Sequence, residues 1–285
     1  MREIRLNNGV MMPSVGFGVY QIDKSETKAD VLEALEVGYR MIDTAASYFN
    51  EREVGEAICE SGLPRESVFV TSKLWVQDYE YDDALRAFDR SLSELGLDYI
   101  DLYLLHKPYG NYYAAWRALE RLHKEGRIRA IGVTSFSNER LQDLFLHNEV
   151  KPAVNQIETH PFQQQKDANA FLKAEGIVHE AWAPFAEGQK NVFAHPVLTG
   201  IAASHGKCIL SVAAVILRWL NQRGVVVIPK SIRADRIREN FNIFDFRLSD
   251  AEMAAISALD EKKSPIYDDM DLATVRAIGT YKIHD

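Results

Sequence analysis

Cysteine is scarce in this chain: Cys59 and Cys208 are the only two in 285 residues. Without CxxC spacing or neighbouring ligands they build neither a disulfide framework nor a zinc site, and no metal is expected. They read as small thiols in a reducing compartment. Long apolar runs are missing too. The longest, Val212 to Leu217, falls far short of the roughly 20 residues that span a bilayer, and Glu3, Pro13, Gly16 and Gly18 interrupt the stretch where a signal peptide would lie. Nor is there an excess of positive charge, since 33 Lys and Arg face 41 Asp and Glu for a formal charge of −8. That balance argues against nucleic acid or a membrane surface as a partner, and any bound anion must find a local basic cluster. The expectation is a cytoplasmic protein, a monomer or weak oligomer, whose partner is a small molecule. With 47% apolar and 26% charged residues, the chain is expected to form one packed domain over residues 1–285.

What is present is alternation. Short apolar runs recur at Val15-Gly16-Phe17, Arg40 to Asp43, Val68 to Ser72, Ile100 to Leu105, Ala130 to Thr134, Val154 to Ile157, Val178 to Trp182 and Val225 to Ile228. Between them lie helical patterns that stop at glycine: Ala84 to Leu95 before Gly96, Tyr113 to Glu125 before Gly126, and Ala168 to Glu175 before Gly176. Asn138 is the expected cap of a helix to His147, and Ser249 with Glu252 has the form of a capping box. Strands apolar on both faces and separated by helices form a parallel sheet, and about eight such units close into a (β/α)8 TIM barrel. Asn8-Gly9 between alternating runs predicts an N-terminal β-hairpin that caps the barrel floor. A doubly wound nucleotide-binding fold is the competing architecture, but Gly16-Phe17-Gly18-Val19-Tyr20-Gln21 has glutamine where the third glycine of its fingerprint belongs.

In such a barrel the polar residue that closes an apolar run points into the mouth. Asp43, Lys73 and His106 close three consecutive runs, and Tyr48 lies in the loop after the first of them. Singly, each has a structural explanation: a buried ion pair, a satisfied core histidine, a tyrosine filling a crevice. As a set they form a proton-transfer site. An ammonium close to a phenol stabilises the phenolate and is expected to lower its pKa by about 1–3. Tyr48 then serves as a general acid, Asp43 holds Lys73, and His106 orients a substrate oxygen. The chain offers no protein nucleophile for a carbonyl, which calls for a bound hydride donor. A sugar-phosphate isomerase or lyase with Lys73 as an imine-forming amine is an alternative chemistry. So is a binding subunit built on the same barrel.

After the eighth run, Lys230-Ser231-Ile232-Arg233-Ala234-Asp235-Arg236-Ile237-Arg238 carries four bases in nine residues. A phosphate site commonly lies after the last strands of these barrels. Lys230, the Ser231 hydroxyl and the guanidinium of Arg236 suit a phosphomonoester such as the 2′-phosphate of NADPH.

These residues sit in "GFGVYQ", "IDTAASYFNE", "VTSKLW", "DLYLLHKP", "AIGVTSF", "NQIETHP" and "VVIPKSIRADRIRENFNIFDFRLS". Through these seven ordered motifs, covering almost the whole length, the chain resembles the aldo-keto reductases, with the diketogluconate reductase-like microbial branch nearest. The resemblance implies a catalytic tetrad at Asp43, Tyr48, Lys73 and His106 and NADPH-dependent reduction of an aldehyde or ketone. It further implies that Val19 and Tyr20 lie near nicotinamide and substrate, that Thr134, Ser135 and Gln156 hold the carboxamide, and that Trp182 stacks on the nicotinamide ring. Lys230, Ser231 and Arg236 take the 2′-phosphate, and Glu239 and Asn240 take the adenine. Tyr20, Trp75, His106 and Tyr109 are the implied substrate contacts. Ser135 stands where many relatives have asparagine, and Lys107 where tryptophan is frequent.

Overall fold

The computed structural model describes residues 2–205 and 211–285, so Cys208 lies outside the described residues. The chain opens with β1 (Glu3–Arg5) and β2 (Met11–Pro13), which pair antiparallel with Arg5 opposite Met11. The hairpin loop is wider than Asn8-Gly9 alone would make it. Leu6 N–H donates to Val10 O at 2.8 Å, and Gly9, at φ +91°, donates back to Leu6 O. The extra residues let Leu6 turn inward, where it is buried with Met12, Met41, Phe69, Leu102 and Leu104 as the plug of the barrel floor.

Eight parallel strands follow in sequence order: β3 (Phe17–Gly18), β4 (Met41–Asp43), β5 (Phe69–Leu74), β6 (Ile100–Leu105), β7 (Ile128–Thr134), β8 (Val154–Glu158), β9 (Val178–Trp182) and β10 (Val226–Val227). Every residue of β4, β5, β6 and β8 is buried, as expected for strands covered on both faces. The sheet closes on itself. Val15 and Val227 form a parallel bridge, Gly16 N–H donates to Val227 O, and Gly18 N–H donates to Pro229 O. The two glycines serve this closure. A Cβ on Gly16 would lie 2.3 Å from Met41 Cε, and one on Gly18 would lie 3.0 Å from Ile228 O.

The helices form the outer ring: α1 (Lys24–Val37), α2 (Glu51–Glu60), α3 (Tyr81–Leu95), α4 (Tyr112–Lys124), α5 (Asn138–Leu146), α6 (Lys166–Glu175), α7 (Pro196–Ser204), α8 (Val212–Gln222) and α9 (Ala234–Phe241). A larger apolar cluster, including Phe88, Trp116, Leu119 and Trp219, fills the layer between them and the sheet. Gly96 and Gly176 end α3 and α6 in the left-handed conformation. The cap of α5 is Ser137 rather than Asn138: the Ser137 side chain accepts from Arg140 N–H, which leaves Asn138 as the first helical residue. Beyond the barrel come α10 (Asp250–Ser257), which has the expected capping box, and α11 (Leu272–Thr280). Among the described residues no helix is long and apolar enough to cross a membrane.

Candidate active site

The strand ends bring the four expected residues to one place. Asp43 is the last residue of β4, Lys73 the fifth of β5, and His106 follows β6 directly. Tyr48 folds back from the short 3-10 turn Ala46–Tyr48. Lys73 Nζ donates to Asp43 Oδ1 at 2.5 Å, to Thr44 O at 2.9 Å and to Tyr48 Oη at 3.4 Å. Asp43 and Lys73 are almost wholly buried, so this ion pair is little screened by solvent. The Tyr48 ring packs edge-on against the His106 ring at 5.6 Å, and the Trp75 indole meets His106 from another side at 5.1 Å.

One electrostatic expectation is reversed. Burial, reinforced by Asp43, Tyr20 and Glu180, holds the Tyr48 phenol well above its ordinary value. Desolvation of the phenolate outweighs the nearby amine because Asp43 sits against the same amine. Burial, then Lys73 and Lys107, keeps the His106 imidazole neutral well below its usual range. Ser47 Oγ lies 3.3 Å from His106 Nδ1. If the hydroxyl donates there, the imidazole proton sits on Nε2.

A cavity of about 730 Å³ opens above these groups. Tyr20, Tyr48, Trp75, His106, Thr134, Ser135, Gln156, Trp182, Lys230 and Arg236 line it. Lys230 and Arg236 form no ion pair among the described residues, whereas Arg233 is paired with Asp235 and Arg238 with Glu33. The Ser135 hydroxyl is buried with no hydrogen-bond partner among the described residues. A buried hydroxyl, an amide, an indole face and two cations along one cavity fit a nicotinamide dinucleotide.

Other expected contacts are engaged elsewhere. The Thr134 hydroxyl donates to His106 O, so Thr134 reaches the cavity without a free hydrogen. Val19 is fully buried and bonds through its main chain to Asp43 O and Asn50 Nδ2. Ser231 Oγ accepts from Arg233 N–H, the Glu239 carboxylate accepts from the Ser211 hydroxyl, and Asn240 is buried. Tyr109 is not among the residues that line the cavity, and its hydroxyl donates to Asp269 O at 2.6 Å.

That segment is the part least visible beforehand. Lys107 Nζ donates to Asp269 Oδ1 at 2.8 Å and to Tyr267 Oη at 2.7 Å. Tyr267 stacks on Trp182 at 5.7 Å with an interplanar angle of 18°, on the indole expected to meet the nicotinamide. Farther along, Trp75 Nε1 donates to Tyr281 O, and His284 Nε2 lies 2.9 Å from Asp78 Oδ2. Glu180, also unanticipated, lies fully buried beneath the mouth against Gln156.

A closed parallel barrel with a Tyr–Lys–Asp–His group at the carboxyl ends of its strands defines a class of carbonyl-directed oxidoreductase, and residues 8–261 match the aldo/keto reductase family. The chain belongs to that family, whose members use a nicotinamide cofactor. It is 49% identical over 271 residues to glyoxal reductase of Bacillus subtilis, covering 94% of this chain and 96% of that protein. It is also 49% identical over 271 residues to morphine 6-dehydrogenase of Pseudomonas putida, covering 90% of each. An aldo-keto reductase of Bombyx mori in complex with NADP superposes with a TM-score of 0.88, at 33% identity and covering 96% of both chains.

Proposed function

We propose that the protein reduces an aldehyde or ketone to its alcohol with NADPH, Tyr48 giving the proton to the carbonyl oxygen. The observation that carries this reading is the Asp43–Lys73–Tyr48 chain of contacts at the cavity floor, with His106 beside it. A nicotinamide cofactor held along this cavity would supply the hydride. As that electron pair reaches the carbonyl carbon, the oxygen becomes alkoxide-like and more basic than a phenolate, so even a phenol of raised pKa can protonate it. Lys73 offsets the negative charge left on Tyr48 Oη. Neutral His106, donating through Nε2, holds the carbonyl oxygen near that hydroxyl. The aromatic walls, Tyr20, Trp75 and Trp182, exclude water from the reacting groups.

Ser135 and Gln156 are suited to the carboxamide and Trp182 to the nicotinamide ring, while Lys230 and Arg236 are suited to the 2′-phosphate. Val19, Thr134, Ser231, Glu239 and Asn240 would contribute main-chain or packing contacts, their side chains being buried or already bonded. The same reading takes residues 1–285 as one domain in a cytoplasmic monomer or weak oligomer. Lys73 is poorly placed for imine chemistry, because its amine is engaged by Asp43 and Thr44. The test is NADPH oxidation followed at 340 nm with glyoxal or methylglyoxal as probe. Turnover by the wild type and its loss in Tyr48→Phe support the assignment, and equal turnover in the variant removes Tyr48 as the acid.

A further inference from the structure

Glu180 has no part in the mechanism above, yet it is a fully buried acid directly beneath the cavity, on β9. In the sheet register it stands beside Gln156 of β8. Gln156 Nε2 donates to Asp43 Oδ2 at 2.8 Å and to Glu180 Oε2 at 2.9 Å. An amide nitrogen has two hydrogens, and these two acceptors use both. Gln156 Oε1 accepts from no protein group among the described residues, while Gln156 itself lines the cavity. Turning the amide over would set Oε1 against the Asp43 carboxylate, acceptor facing acceptor.

We infer that Glu180 is a positioning residue for the nicotinamide end of the site. By taking one N–H of Gln156 while Asp43 takes the other, it holds the Gln156 oxygen toward the cavity as an acceptor for a carboxamide N–H. The inference rests on the cofactor reading proposed above. A glutamate that merely filled space would be an expensive choice, since its Oε1 is buried with no hydrogen-bond partner among the described residues. Burial, then the charge of Asp43, raises the Glu180 carboxyl far above the usual carboxylate range, outweighing the Gln156 hydrogen bond and Lys73, which pull the other way. A neutral acid accepts through its carbonyl oxygen, and a glutamine in its place does the same.

The test uses the purified protein and two probes in calorimetric titration: NADPH, and 2′,5′-ADP, which carries the adenine and phosphate end but no nicotinamide. Glu180→Leu is expected to weaken NADPH about tenfold, the size of one lost buried hydrogen bond, and to leave 2′,5′-ADP unchanged within about twofold. Glu180→Gln is expected to restore NADPH affinity to the wild-type value. Glu180→Asp draws the carboxyl back by one methylene and reads the same contact if the leucine variant does not fold, so it too should bind NADPH more weakly than wild type. Wild-type NADPH affinity in folded Glu180→Leu or in Glu180→Asp overturns the inference, as does a Glu180→Gln defect equal to that of leucine. A wild-type protein that binds NADPH no better than 2′,5′-ADP overturns the nicotinamide reading itself, independently of Glu180.

Discussion

Four side chains set the residue scale, and their contacts differ in what they can be asked to do. The Tyr48 hydroxyl meets Lys73 at 3.4 Å and makes no other hydrogen bond among the described residues. Tyr48→Phe should therefore leave NADPH affinity within about twofold while lowering kcat by about 10²–10⁴, the usual range for a lost general acid; stopped-flow and binding measurements separate the two. The phosphate prediction is one of charge. Removing both Lys230 and Arg236 as alanines should weaken NADPH by at least about tenfold and NADH by far less, since each cation contributes about 1–2 kcal/mol to a partly desolvated phosphate. A parallel loss for both cofactors would mean that the cations do not read the extra phosphate. Asp43, Lys73 and His106 were legible in the sequence because each ends an apolar run, so strand polarity alone places them at one rim. Glu180 was not legible for the converse reason. It lies in the middle of its strand, two residues before Trp182, and only the register with Gln156 reveals its partner.

At the scale of elements, the packing of α2 on α3 depends on the absence of one side chain. A Cβ on Gly55 would lie 1.9 Å from Leu95 O, a backbone atom that cannot swing away. Gly55→Ala gains helix propensity but forces the helices apart, so a net destabilisation of about 1–3 kcal/mol is expected from urea denaturation. A stabilised variant would show that α2 can slide freely over α3. The order of strands and helices was readable from glycine stops and apolar runs. The details at their ends were less so: the cap of α5 falls on Ser137, because a serine hydroxyl reaches the N–H three residues on, and adjacent Ser and Asn look alike from composition. The hairpin loop likewise widened to bury Leu6, a tertiary demand that the Asn8-Gly9 signal does not carry.

Across the whole molecule, titration and tail docking act together. Burial raises the Glu51 carboxyl to about 7, and burial with Asp43 raises Glu180 strongly. Both groups bind a proton more tightly folded than unfolded, so the stability they confer is present at acid pH and is lost as pH rises through their folded values. His284, raised by its bond to Asp78, has the same sign. Buried His106 and His179 have the opposite sign, their lowered values costing stability as pH falls below the usual histidine range. The midpoint of thermal unfolding is therefore expected to fall between about pH 6.5, where the histidine penalty ends, and about pH 8, where Glu180 ionises in the folded state too, and Glu180→Gln should flatten that slope. A midpoint rising over this interval would contradict the buried-acid assignment. The tail contacts of Lys107 with Asp269 and of Asp78 with His284 join residues 162 and 206 positions apart, which no local pattern announces.

Those long-range contacts also sort the four indoles by environment. Trp116 and Trp219 lie sealed between helices and sheet, whereas Trp75 hydrogen-bonds to Tyr281 and Trp182 is covered by Tyr267. Emission from the first pair should stay constant while the second pair senses every departure of the last twenty or so residues. The chain thus carries an intrinsic optical gauge of whether its mouth is covered, readable without any added dye.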